Sequence, residues 1–150
     1  MRLIIQRVKE AKVEVDTKVI GEIKTGFLIL IGVEDADNKE DVEWLAKKVS
    51  TLRIFNDENG HMNLALNVVD GDVLVVSQFT LHASTKKGNR PSFIKAAQPT
   101  HAEELYELFK LQLSALIGKN VESGKFGADM QVSLINDGPV TIFIDSKNRE

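Results

Sequence analysis

The chain has 150 residues, of which 43% are hydrophobic and 27% charged, so residues 1–150 are long enough to bury a core as one domain. It contains no cysteine, which excludes disulfides, cysteine-based zinc sites and thiol nucleophiles. Its formal net charge of -3 argues against a protein that coats long nucleic acid, but permits contact with a nucleic-acid end.

Neither a signal peptide nor a membrane span is visible in the sequence. The apolar run at residues 3–5 is followed by Arg7, which comes too soon for a signal peptide. The apolar run at residues 27–31 has only the length of a strand. We therefore expect a soluble, cytoplasmic protein without a membrane partner.

The first part of the chain shows strand patterns. Residues 2–8 predict one strand, and residues 13–15 and 19–23 alternate as a hairpin across residues 16–18. Residues 26–33 are apolar on both faces, which predicts a central strand.

Residues 38–52 change to a helical period, with Val42, Leu45 and Val49 on one stripe. Asp37 is the expected N-cap, and Glu40 is its capping-box partner. Extended structure resumes at residues 53–55 and ends in the turn-rich residues 56–60.

The second half of the chain adds one more helix and more strands. Residues 67–79 predict a hairpin around Asp70-Gly71, and residues 101–117 predict an amphipathic helix that ends at Gly118. Thr100 and Glu103 are the expected capping box of this helix. Residues 130–134 and 140–144 predict the last strands. The predicted class is α+β, with mainly antiparallel sheets curled into a barrel-like core and two amphipathic helices.

Polar groups cluster where the apolar run 73–76 ends. Ser77, Gln78 and Thr80 surround the aromatic Phe79, and a cationic loop that includes Lys87 and Arg90 follows. Polar groups at a strand end beside a cationic loop suggest a site for an anionic ligand. Taken alone, such a loop is more often a solvated surface.

A threonine nucleophile at position 80 needs an activating base, and the motif contains no carboxylate or lysine. His82 would share the face of Thr80 in an extended strand and is a candidate base, although a surface histidine is the commoner interpretation. A structural role for the Thr80 hydroxyl is therefore favoured. Gln78 is a candidate donor to a carbonyl or phosphate, and Phe79 is a candidate stacking partner for a base or ribose.

The three histidines show no metal-ligand spacing, so we expect neither a metal nor another cofactor. Residues 136–139, Asn-Asp-Gly-Pro, predict first of all a turn between two strands. A cis bond at Gly138-Pro139 would instead aim backbone carbonyls in a fixed direction.

Together, the motifs Ser77-Gln78-Phe79-Thr80-Leu81 and Asn136-Asp137-Gly138-Pro139-Val140-Thr141 resemble the paired motifs of D-aminoacyl-tRNA deacylases. The resemblance extends over essentially the whole chain. It includes residues 6–8, 53–63, 90–93 and 126–130.

This resemblance implies a homodimer with a β-rich, barrel-like α+β fold. It implies hydrolysis of the ester between a D-amino acid and the 3′-terminal adenosine of tRNA, and glycyl-tRNA is expected to be cleaved as well. In the family, a cis Gly-Pro bond enters the partner subunit's active site. Gly138 and Pro139, flanked by Asn136 and Thr141, would thus form a chiral filter in trans.

Expected roles for the other site residues come from the resemblance and from the residues themselves. By resemblance, Ser77, Gln78, Phe79 and Thr80 would form the catalytic segment. Because no base lies beside Thr80, we expect Thr80 to shape the site while water attacks with help from the ribose 2′-hydroxyl. The expected supporting residues are Arg7, which holds the Gly-Pro element, Phe126 and Met130. Lys87 and Arg90 are the expected contacts to the tRNA end because they belong to the cationic loop, and the resemblance does not assign them this role.

Two alternatives stay open because no catalytic triad is visible. One is a non-catalytic dimeric module that binds a nucleotide or an RNA 3′ end. The other is a metal-free esterase with no requirement for tRNA.

Overall fold

A computed structural model describes all 150 residues of the chain. It contains eight strands, two α-helices and one 3-10 turn. In chain order these are β1 (Arg2–Val15), β2 (Lys18–Ile23), β3 (Gly26–Gly32), α1 (Lys39–Thr51), β4 (Arg53–Asn56), β5 (Met62–Ala65), β6 (Asp72–Ser77), the 3-10 turn (Phe79–His82), α2 (Pro99–Ile117), β7 (Glu122–Ser123) and β8 (Gln131–Asp145).

The long strand β1 organises the sheet, because it pairs antiparallel with β2, β3 and β8. The separate strands predicted at residues 2–8 and 13–15 are therefore one strand. Residues 9–12 continue the ladder through the pairs Glu10↔Ile135 and Lys12↔Ser133. The sequence pattern did not predict one continuous strand, because the polar side chains at residues 9 and 10 interrupt the alternation. They lie exposed where the register with β8 shifts.

Strand β3 lies between β1 and β6, as its apolar character predicted, but it pairs with β6 in parallel. The hairpin predicted at residues 67–79 is therefore wrong. Residues 66–70 form turns. On its other side, β6 pairs in parallel with β7. Residues 73–76 are buried throughout, and a continuous apolar run indicates burial without fixing the direction of pairing.

Strand β8 joins the two last predicted strands into one. Both halves pair antiparallel with β1, through Leu134↔Ala11 in the first half and Ile142↔Ile5 in the second. The turn expected at residues 136–139 does not reverse the chain. It lies at a shift in register and acts as a bulge within the strand.

Two apolar clusters pack against the sheet. The larger includes Leu3, Ile29 and Val75 and packs the sheet against both helices through Leu45 and Phe109. The smaller lies on the opposite face of the sheet, since neighbouring strand residues alternate between the two clusters. Its members are Val8, Ala11, Val13, Ile23, Leu28, Leu74 and Val76. The nearly closed, barrel-like sheet with two helices confirms the predicted fold class.

Helix α1 is capped one residue later than predicted. Asn38 accepts a hydrogen bond from the Glu40 N–H at 2.8 Å, and its own N–H donates to the Asp41 carboxylate at 2.9 Å. The predicted capping pair of Asp37 and Glu40 is wrong. The buried Asp37 carboxylate instead accepts from the Glu34 N–H at 2.8 Å and is therefore unavailable as a cap.

Helix α2 begins at Pro99, and no side chain caps it. The predicted capping box of Thr100 and Glu103 is therefore wrong. Proline at the first position has a φ that suits a helix, and it has no backbone N–H that would need an acceptor. This helix therefore begins without a cap. Its predicted stop is confirmed, because Gly118 has φ 67° and donates to the Ser114 carbonyl at 3.0 Å.

Candidate active site

The polar motif begins where β6 ends. The Gln78 N–H donates to the Ile31 carbonyl at 2.7 Å and so extends the pairing with β3 by one residue. The chain then turns, because the Leu81 N–H donates to the Gln78 carbonyl at 3.2 Å and the Ala83 N–H donates to Thr80 at 3.0 Å. Phe79 and Thr80 therefore project from a 3-10 turn rather than from an extended strand.

The Thr80 hydroxyl is exposed and accepts a hydrogen bond from the side-chain amide of Gln78. An amide NH₂ group is a donor and cannot take a proton. No side-chain acceptor contacts this hydroxyl. The local geometry thus contains no base that would activate Thr80 as a nucleophile.

His82 does not lie on the face of Thr80. Its side chain is 1% exposed and packs close to Gly32, and neither ring nitrogen has a hydrogen-bond partner. Residues two apart on a 3-10 turn point in different directions, whereas in a strand they share a face. The interpretations of His82 as a base and as a surface histidine are both wrong.

A cavity of about 530 Å³ opens beside the motif. The cavity is lined by the ends of β3 and β6 with the 3-10 turn that follows, by residues 96–97 and the first half of α2, and by the segment that leads into β8 with the start of that strand. Five of the predicted site residues lie in its wall, namely Ser77, Gln78, Phe79, Phe126 and Met130. Its lining is mostly hydrophobic, with Ser77 and Gln78 among its few polar groups.

The start of α2 supplies cavity residues that sequence reasoning missed. They include Pro99, Ala102 and Tyr106. The Tyr106 hydroxyl donates to the Val75 carbonyl at 3.0 Å, and burial raises the pKa of this phenol, so it stays neutral. The available signal in the sequence was the position of Tyr106 inside the predicted amphipathic helix, directly after the apolar Leu105.

A second cluster forms around Gly138 and Pro139, whose peptide bond is cis. The Asn136 amide spans the bulge, because it donates to the carbonyls of Arg7 and Val140, both at 3.0 Å. Thr141 donates to the Asn136 side-chain oxygen at 3.3 Å. These contacts hold the Gly-Pro element in place on the strand.

Arg7 anchors this second cluster to the core of the chain. Its buried guanidinium donates to the Ile54 carbonyl at 2.6 Å and to the Asp137 carbonyl at 3.2 Å. It also pairs with the Asp137 carboxylate at 3.1 Å. Gly138 and Pro139 stay exposed, and neither lines the cavity of their own chain.

The structure thus sorts the predicted site residues into separate places. Thr80 is tied to the cavity wall through Gln78. Lys87 and Arg90 are exposed in the loop that follows the 3-10 turn. No helix is long and apolar enough to cross a membrane, and no group of three or more His, Asp or Glu side chains is placed to hold a metal ion.

Comparison with known families matches residues 4–145 to the model for D-Tyr-tRNA(Tyr) deacylase. The chain belongs to the D-aminoacyl-tRNA deacylase family. A D-aminoacyl-tRNA deacylase of Akkermansia muciniphila is 63% identical over 150 residues, which is all of both chains. A D-aminoacyl-tRNA deacylase of Flavobacterium psychrophilum is 57% identical over the same full length. The predicted family and its enzyme class, an ester hydrolase, are confirmed.

Solved structures also resemble this deacylase family member. One is called c-Myc DNA Unwinding Element Binding Protein; it has 38% identity and a TM-score of 0.91, with 97% of this chain and 98% of that chain covered. Another is a probable eukaryotic D-amino acid tRNA deacylase with a TM-score of 0.81, and 95% of this chain and 97% of that chain are covered. Its identity is only 18%, so it supports the fold alone.

Proposed function

We propose that the chain hydrolyses the ester of D-aminoacyl-tRNA and releases the D-amino acid and tRNA. The observation that carries this proposal is the apolar cavity, whose polar groups Ser77 and Gln78 belong to the motif that resembles the family's. The cavity has the volume of a small-ligand site. It would hold the aminoacyl group and the terminal ribose, and the exposed ring of Phe79 would stack on the adenosine.

In this mechanism, water attacks the ester carbonyl and the ribose 2′-hydroxyl assists. An aminoacyl ester is an activated bond, so positioning and charge stabilisation supply the rate. The first N–H groups of a helical turn have no acceptor within it, and those of Phe79 and Thr80 are therefore suited to stabilise the developing oxyanion. Thr80 would shape the site beside Phe79 and would not attack the ester, since its hydroxyl contacts no proton acceptor.

Selection for the D form would require a second subunit. In a homodimer, Gly138 and Pro139 of one protomer would enter the cavity of its partner and obstruct an L side chain. Their exposure, their absence from the lining of their own cavity and their anchoring by Arg7 support this arrangement. Glycine has no side chain to exclude, so glycyl-tRNA would also be cleaved. The site of action would be the cytoplasm, where charged tRNA is used.

Matched D- and L-tyrosyl-tRNA, together with the free ethyl ester of D-tyrosine, test this function. The proposal predicts release of tyrosine from D-tyrosyl-tRNA, with L-tyrosyl-tRNA left intact and the free ester cleaved slowly. A binding module would release tyrosine from none of the three. A general esterase would cleave the free ester about as fast as the tRNA ester.

A further inference from the structure

The segment 84–95, here called the basic loop, is attached to the cavity at both ends. It leaves the 3-10 turn through Ala83, and it returns to the cavity wall at Ala96. Ser84 and Ser92 close it with two backbone hydrogen bonds of 2.8 and 2.9 Å. The basic loop therefore connects two parts of the cavity wall and lies beside the cavity.

All charged side chains of the basic loop are positive. Lys86, Lys87, Arg90 and Lys95 are all exposed, and none of them forms an ion pair within the chain. No acidic residue occurs between Asp72 and Glu103. Glu34 and Asp35 contact residues 96 and 98 just beyond the loop, but no acid pairs with any of its four cations. In a chain of net charge -3, these cations form a local positive surface suited to a polyanion.

Apolar side chains accompany these cations. Phe93 packs edge-on against Phe79, with ring centroids 5.1 Å apart, so an exposed aromatic pair leads from the basic loop into the cavity. Ile94 is 90% exposed and follows directly. Cations that follow a phosphate backbone, together with aromatic rings on which bases stack, are the combination that binds single-stranded RNA.

We propose that the basic loop binds the phosphates of the tRNA nucleotides that precede the terminal adenosine. This inference rests on the proposed function and adds the surface that distinguishes a tRNA ester from a small ester. The RNA would cross Phe93 and place its terminal adenosine at Phe79. The loop contacts only RNA that lies outside the cavity, so it contributes to substrate binding and not to the chemical step.

A triple variant, Lys86→Gln, Lys87→Gln and Arg90→Gln, tests this surface. Its matched control replaces three exposed lysines elsewhere, with Lys18→Gln at the start of β2 and Lys47→Gln and Lys48→Gln on α1. Both variants lose three positive charges, so a difference between them reports position and not net charge. Equal thermal midpoints would show that both are folded.

Two substrates separate RNA contacts from cavity contacts. We expect the triple variant to raise KM for D-tyrosyl-tRNA at least about tenfold and to leave kcat unchanged. The slope of log KM against log salt concentration should fall by about two, because three phosphate contacts are lost. Cleavage of D-tyrosyl-adenosine, which lacks the preceding nucleotides, should equal that of the wild type. An unchanged KM for the tRNA ester, or an equal loss on both substrates, would overturn the proposal.

Binding of uncharged tRNA gives a readout that does not depend on hydrolysis. The wild type and the control should bind it alike, and the triple variant should bind it at least about tenfold more weakly. If the wild type cleaves neither substrate, the proposed function fails while this titration still tests the surface. Equal binding by all three proteins would refute the RNA-binding loop alone.

Discussion

Arg7 is joined to both the backbone and the side chain of Asp137. Its Nε lies 3.2 Å from the Asp137 carbonyl oxygen and 3.1 Å from the carboxylate. On its other side, Nη1 donates to the Ile54 carbonyl of β4 at 2.6 Å. The residue that precedes Gly138 is thereby tied to the core of the same chain.

Arg7→Lys should weaken both folding and activity. A lysine ammonium cannot reproduce the planar fork that meets Ile54 and Asp137 from one buried position. We expect a loss of about 2 to 4 kcal/mol in the free energy of unfolding, measured with urea, and slower hydrolysis of D-tyrosyl-tRNA. Arg53→Lys is the control, because Arg53 is exposed and bonds only to Asn63. Equal losses in the two variants would show that Arg7 has no special role.

Gly138→Ala should impair hydrolysis of D-tyrosyl-tRNA. Gly138 has φ 124°, and an added Cβ would lie 2.9 Å from the Val140 side chain and 3.0 Å from the Arg7 guanidinium. We expect at least about a tenfold lower kcat/KM, since small displacements at a site are costly. Gly60→Ala is a matched control, because Gly60 also has positive φ, at 81°, but open space around it. Activity in Gly138→Ala equal to that in Gly60→Ala would contradict the proposed filter.

Thr80→Val should retain most of the chemical rate. The hydroxyl receives a hydrogen bond from Gln78 and meets no base, so its removal should lower the single-turnover rate by less than about a hundredfold. Thr80→Ser keeps the hydroxyl and serves as the control. A loss of about 10⁴-fold or more with intact substrate binding would restore Thr80 as the nucleophile.

A tRNA ester whose terminal ribose lacks the 2′-hydroxyl should be cleaved more slowly than the normal substrate. The motivation is again the absence of a side-chain base at Thr80. Single-turnover rates with the two substrates provide the measurement. Equal rates would remove the 2′-hydroxyl from the mechanism.

Asp41 should make stability depend on acid pH. Burial alone would raise the pKa of Asp41, but hydrogen bonds from Lys147, Ser146 and the Asn38 N–H together hold it below its ordinary value of 3.8. The ionised form therefore stabilises the native state above that pH. This contribution disappears as the pH falls through the lower, native pKa.

Asp41→Asn should consequently lower the free energy of unfolding by about 1 to 2 kcal/mol at pH 7. The difference from the wild type should shrink below about pH 4. Urea titrations at several pH values provide the measurement. Glu43→Gln on the same helix is the control, because the Glu43 side chain is exposed and lies 3.8 Å from Lys39. A difference that stays constant down to pH 2 would rule out this role for Asp41.

Much of the fold could be predicted because burial leaves a periodic pattern. The stripe of Val42, Leu45 and Val49 defined helix α1, and the apolar run 73–76 defined β6. Direction of pairing could not be predicted, because a fully buried strand shows the same pattern in parallel and antiparallel sheets. The bulge at residues 136–139 also resembled a turn, since Asn, Gly and Pro serve both purposes.

The candidate site was predictable where motifs are contiguous. Residues 77–79 line the cavity as expected, but the inward turn of His82 depends on a change from strand to 3-10 turn. Tyr106 reaches the cavity from a helix almost thirty residues later in the chain. Such contacts arise from tertiary packing, which no local pattern specifies.

The claim that two subunits build each site is tested most directly by mixing two impaired variants. Ala102→Trp fills the cavity of its own subunit and leaves the Gly-Pro element intact. Gly138→Ala alters the Gly-Pro element and leaves the cavity of its own subunit intact. If the filter acts in trans, half of the randomly mixed dimers regain one intact site, so hydrolysis of D-tyrosyl-tRNA should recover to about a quarter of the wild-type rate. No recovery, with subunit exchange verified by differently tagged chains, would contradict a site shared between subunits.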